Sequence, residues 1–109
     1  MRAHGAVASN QLGDDKVAAV LADLDTAPIG EPLRATLRML RKVTRDVVTV
    51  DDMRAVLAAG ATRAQIEDAL DVAFCFNVIT RLADTFEFQL QDKTELLGSA
   101  RHLLKRGYA

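Results

Sequence analysis

Thr62-Arg63-Ala64-Gln65-Ile66-Glu67-Asp68-Ala69-Leu70-Asp71-Val72-Ala73-Phe74-Cys75-Phe76-Asn77-Val78-Ile79-Thr80-Arg81-Leu82-Ala83-Asp84-Thr85-Phe86 reads as one long helix. Thr62 with Gln65 three positions on makes a capping box, in which each side chain satisfies the other residue's orphan backbone N–H. From about Arg63 toward Phe86 the helix spans roughly 35 Å at the α-helical rise. Ile66, Leu70, Ala73, Asn77 and Arg81 fall along one side, and Ala69, Val72, Phe76, Ile79 and Ala83 on adjoining positions. An apolar middle this broad predicts burial on most sides, at the centre of a domain or in a subunit interface.

Upstream, Thr49 and Asp52 form an acidic variant of the same box, opening a helix with Met53, Val56 and Leu57 as its apolar stripe. Gly60 is placed to end it as the left-handed residue past the C-cap. Before that, Pro32 suits a first helical turn, where its missing N–H costs nothing. Leu33, Leu37 and Leu40 then make one apolar face of a helix reaching about Arg45. Asp14 and Asp15 lead into a helix over Lys16 to Leu24, and residues 25–30 read as a connector punctuated by Pro28 and Gly30. Asp92 to Glu95 reads as the cap of a last helix, with Leu96, Leu97, Leu103 and Leu104 facing inward and Gly107 as its stop. Strand signals are absent. The prediction is a single all-α domain over residues 1–109, with about five helices and one long central helix.

The composition agrees with packed helices. Half of the 109 residues are hydrophobic and aromatics make up 5%, so the core is built from Leu, Val, Ala and Ile. The net charge of −1 gives no general attraction to nucleic acid or acidic lipid. Arg34, Arg38, Arg41 and Arg45 share one helical stripe with Lys42 beside it. No aromatic interleaves them, so a solvated, acid-paired face is expected in place of a phosphate-tracking one. The N-terminal residues lack the apolar core of a signal peptide, and the most hydrophobic run, Ala69 to Ile79, is too short to span a bilayer. A cytoplasmic protein without membrane contact is expected.

Little in the chain carries chemistry by itself. Cys75 is the single cysteine, so no intramolecular disulfide can form. Its Phe74 and Phe76 neighbours predict a small buried hydrophobe, since reactive thiols need an electropositive, partly open setting. The two histidines, His4 and His102, have no Cys, His or carboxylate at ligand spacing, and no metal or other cofactor is expected. Asp71 and Asn77 are the polar residues expected to be drawn inside, with Arg81 contacting Asn77 or Asp84. Asn77 and Arg81 are also the candidates to line a small-ligand pocket. No glycine-rich phosphate loop, serine elbow or zinc pattern is present.

The run Ala73-Phe74-Cys75-Phe76-Asn77-Val78-Ile79-Thr80-Arg81-Leu82-Ala83-Asp84 resembles the Phe-Asn-x-x-Asn-Arg-Leu-Ala-Asp signature of peroxidase-related members of the carboxymuconolactone decarboxylase and alkyl hydroperoxidase D-like superfamily. The order of the surrounding segments, from the Thr-x-x-Asp-Met start at Thr49 to Leu103-Leu104-Lys105-Arg106-Gly107-Tyr108, is similar across nearly the whole chain. Thr80 stands where that signature has Asn. The resemblance implies an alkyl hydroperoxidase D-like helical fold, homo-oligomers, and thiol-dependent reduction of a peroxide substrate by a Cys-x-x-Cys-x-x-x-His motif. His4 matches that histidine, as the proton-relay residue; both cysteines would fall ahead of Met1. Peroxidase chemistry is therefore expected only where that pair exists upstream. The alternative is a catalytically inactive oligomeric scaffold or small-ligand-binding paralogue that kept the helices alone.

Overall fold

The computed structural model describes residues 2–87 and 93–107. Among them all regular structure is helical, in six helices: α1 (Arg2–Leu12), α2 (Asp14–Ala22), α3 (Glu31–Arg45), α4 (Val50–Ala58), α5 (Arg63–Thr85) and α6 (Lys93–Arg106). The expected all-α class with one long helix holds. The sixth helix is α1, which the sequence reading did not draw. Its alanines favour helix, and it ends at Gly13, whose N–H donates to the Ser9 carbonyl at 2.9 Å and whose φ is +90°. Gly13 also starts α2, two residues earlier than expected, with Asp14 and Asp15 in the first turn. Leu24 lies past the end of α2 and is buried. There the Asp23 carboxylate accepts from the Asp25 N–H and the Thr26 hydroxyl, at 3.0 and 2.8 Å, turning the chain. The Asp92 part of the last predicted cap lies outside the described residues.

The helices sort into two compact units, one holding α1, α2 and α6 and the other α3, α4 and α5. In the first, α1 packs against both α2 and α6. Of the inward face expected for the last helix, Leu103 is half-buried and Leu104 exposed, and the side chains of Leu96 and Leu97 lie outside the described residues.

In the second unit α3 packs on both α4 and α5. The core is Ala35, Met39, Val56, Ala61 and Ile66, with Leu40, Val48, Met53, Ala59 and Leu70 packed against it. The face of α3 turned inward is therefore rotated from the expected leucine stripe: Ala35, Thr36 and Met39 are buried, while Leu33 is 45% exposed. Small Ala35 permits close helix approach, and the buried Thr36 hydroxyl is satisfied by donating to the Pro32 carbonyl at 2.8 Å. A hydroxyl with an internal acceptor can be buried at little cost, which an apolar-periodicity argument does not register. On α4, Val56 is buried and its neighbour Leu57 is exposed.

Both expected capping boxes are formed. Thr49 N–H donates to Asp52 Oδ2 at 2.9 Å while Asp52 N–H donates to Thr49 Oγ1 at 3.3 Å. Thr62 N–H donates to Gln65 Oε1 at 2.9 Å and Gln65 N–H to Thr62 Oγ1 at 3.2 Å. Between them Gly60 stands at φ +97°. Its N–H donates to the Leu57 carbonyl at 3.0 Å, and the Ala61 N–H donates to the Val56 carbonyl at 3.3 Å. Those paired bonds are a Schellman termination, which requires the left-handed residue that glycine supplies.

Candidate functional site

The long helix α5 changes character along its length. Ile66, in its second turn, is 3% exposed and belongs to the core. From Val72 onward, the expected all-round burial is not found within the chain: Val72, Phe74, Val78, Ile79 and Leu82 are 41–70% exposed. Cys75 lies on this same surface and is exposed, which corrects the expectation of a buried thiol. The reason is positional. Only the N-terminal turns of α5 carry the residues that enter the α3–α4 core, and the flanking phenylalanines do not enclose the sulfur, because Phe74 itself faces outward. Asp71, also expected inside, is exposed.

Asn77 and Arg81 are the sequence-derived ligand residues. Asn77 is half-buried and donates Nδ2–H to the Ala73 carbonyl one turn back at 2.9 Å. That local bond occupies the amide without help from Arg81. Arg81 is exposed, and its carbonyl accepts from the Thr85 hydroxyl at 2.7 Å. His4 sits half-buried on α1, in the other unit. No group of three or more potential metal ligands gathers among the described residues.

Two grooves flank α3 in the second unit. One, of about 280 Å³, runs between α3 and α4 and is lined by Met39 and Val56 together with the charged Glu31, Arg38, Lys42 and Asp52. The other, of about 290 Å³, lies between α3 and α5, with Pro32, Thr36, Ala61 and Gln65 among its lining. Asn77 and Arg81 line neither. The charges of the first groove are matched: Arg38 reaches Glu31 at 3.3 Å, and Lys42 reaches Asp52 at 2.7 Å. Arg34 also pairs with Glu31 at 2.9 Å and donates to the Ile29 carbonyl at 3.0 Å. Half of the arginine stripe is thus tied to one carboxylate; Arg38 stays exposed as expected, whereas the Arg34 side chain is 14% exposed and therefore not part of a solvated face.

The Lys42–Asp52 bridge ties α3 to α4 and shifts the pKa of both partners. The Lys42 hydrogen bond, then the Thr49 backbone N–H and hydroxyl, lower the Asp52 carboxyl from 3.8 to about 2. The same bond raises Lys42 above its ordinary value. A depressed carboxyl favours the fold above its unfolded pKa and loses that contribution as pH falls through the folded one; a raised lysine favours it below about 10.5 and loses it at higher pH. Carboxyl NMR should therefore show Asp52 titrating near 2 in the folded chain, with α3–α4 docking loosening as it protonates. A midpoint at or above 3.8 would mean that the bridge does not form in solution.

No family model matches the chain, and neither does any curated protein or solved structure. Among the described residues no helix is long and apolar enough to cross a membrane, so the apolar surface of α5 does not mark a bilayer span. By its apolar breadth alone that surface is expected to be interior. No spacing signal distinguished the two faces, because the core-facing series Ile66, Leu70, Ala73 and Asn77 and the exposed series Val72, Cys75, Ile79 and Leu82 both alternate steps of three and four.

Proposed function

We propose that this chain works by binding, as a helical scaffold whose working surface is the outer face of α5. The observation that supports the reading is the exposure of Val72, Ile79 and Leu82, at 56, 55 and 47%, on one side of one helix. Scattered apolar residues on a surface are ordinary. A contiguous stripe of them marks an interaction site. The scaffold reading also accommodates a chain whose single thiol, Cys75, has no second cysteine to form a dithiol cycle with.

The thiol peroxidase reading rests on the resemblance of residues 73–84 and on the match of His4, and the small-ligand reading on Asn77 and Arg81. One assay tests whether the 109 residues carry peroxide chemistry through their own thiol. The 109-residue chain, given an organic hydroperoxide and a dithiol reductant, is expected to consume peroxide no faster than Cys75→Ser. Turnover that disappears in Cys75→Ser would overturn the scaffold reading and make Cys75 a peroxide-reactive thiol.

A further inference from the structure

The groove between α3 and α4 is built from small residues set between two ion pairs. α3 contributes Ala35 and Met39 to its floor, and α4 contributes Ala55, Val56 and Ala59. Three of these five end in a single methyl group, so the two packed helices leave about 280 Å³ open beside their contact. That is just below the size of sites that hold small molecules, roughly 300–1,000 Å³. It has room for about nine water-sized groups at about 30 Å³ each. Met39 is 2% exposed, and its unbranched thioether adapts to the shape laid against it. Every lining residue belongs to the α3–α4–α5 unit, so the site is complete within that unit.

The rim sets the chemistry. Arg38 and Lys42 are one helical turn apart on α3, about 6 Å between their Cβ atoms. Lys42 gives one of its three ammonium donors to Asp52, at 2.7 Å, which leaves donors to share. Arg38 meets Glu31 at 3.3 Å with both side chains half-exposed, a pair that contributes little by itself. The four rim charges cancel, and the rest of α3 tips the balance. With its C-cap, that helix carries Arg34, Arg38, Arg41, Lys42 and Arg45 against Glu31 and Asp46. Even with Asp52 counted, the surface around the groove is positive.

We propose that this groove binds a small amphipathic monocarboxylate, with an aliphatic body of about eight carbons on Ala35, Met39, Ala55 and Val56 and its carboxylate between Arg38 and Lys42. Each part of that ligand answers a feature of the site. The apolar floor favours an anion with a hydrocarbon body over a bare one, because burying methylenes contributes what two half-exposed cations alone do not. The surplus of positive charge opposes an amine head. Glu31 and Asp52, on the same rim, oppose a second negative charge, which disfavours a phosphate monoester. The site is separate from the α5 face of the scaffold reading, and neither depends on the other.

Octanoate, titrated into the isotope-labelled 109-residue chain, is expected to shift the amides of Ala35, Met39, Ala55 and Ala59 saturably, with a Kd of about 1 mM. Acetate has the head without the body, and octylammonium has the body with the opposite charge. Both are expected to bind at least about tenfold more weakly. Ala55→Leu fills the groove from an exposed position that tolerates a larger side chain. It is expected to weaken octanoate by about tenfold with helical circular dichroism intact, and Arg38→Gln by about fivefold. Octyl phosphate binding more tightly than octanoate would overturn the assignment of a carboxylate. Failure of octanoate to saturate by about 10 mM overturns the proposal. So does octylammonium binding as tightly, a set of shifts confined to residues outside α3 and α4, or an affinity that neither variant lowers.

Discussion

Ile66→Ala is expected to destabilise the α3–α4–α5 unit by about 3 kcal/mol, within the range for truncating a buried aliphatic side chain. Ile66 is 3% exposed and packs in a core with only four other buried residues, Ala35, Met39, Val56 and Ala61. Two of those are alanines, which have no longer side chain to swing into the space vacated. The cavity therefore persists, and its cost adds to the lost transfer free energy. For a domain of ordinary stability, about 5–15 kcal/mol, this is a large fraction. Leu57→Ala removes a similar side chain from a position 51% exposed and is expected to change stability by no more than about 0.5 kcal/mol. Native-state hydrogen exchange of the α4 and α5 amides reads this unit directly, whatever the other unit does. Equal losses in both variants would mean that the core is not centred on Ile66.

Gly60→Val is expected to have the next largest effect, a loss of about 2 kcal/mol, through backbone strain and not through crowding. A Cβ built at Gly60 meets nothing closer than the Pro32 side chain at 3.7 Å, an ordinary contact. Its φ of +97° is the obstacle, because a β-branched side chain is a severe outlier there. If the variant relaxes to negative φ instead, it gives up the two hydrogen bonds that end α4 and loses the turn that aims α5 back along α3. Gly60→Asn is expected to be the mildest replacement and Gly60→Ala intermediate, since Asn tolerates the left-handed region better than other side chains. Denaturation midpoints in the order Gly, Asn, Ala, Val would support this cause. A Val variant as stable as wild type would show that the turn is not held at positive φ in solution.

The elements that were legible beforehand share one property: their determinants lie within a few residues of each other. The Thr49–Asp52 and Thr62–Gln65 boxes, the Gly60 stop and the Pro32 start each need one local bond or one dihedral angle, and all were read at the right residues. α1 was not drawn, because its N-terminal residues were read as part of a motif instead of as a helix. The α3 face was read one step off, since Leu33, Leu37 and Leu40 satisfy the helical period as well as the buried set does. Periodicity measures how apolar residues cluster around an axis. It does not say which of two neighbouring arcs meets a partner when a small residue and a self-satisfied threonine can fill one of them.

The candidate site divides in the same way. Asn77 and Arg81 were singled out as polar residues on an apolar helix, and the structure gives Asn77 a bond within its own helix and leaves Arg81 exposed. Cys75 and Asp71 were placed inside and lie outside. The sequence by itself determined the helical class, most helix ends and the length of α5, because hydrogen bonds and dihedral angles along one chain segment settle these. Only the tertiary structure decided which turns of α5 are core and which are surface. That choice depends on where α3 and α4 arrive. They cover the turns around Ile66 and leave Val72, Ile79 and Leu82 exposed. An apolar side chain is equally suited to either fate, since the hydrophobic effect rewards removal from water without specifying the surface that removes it.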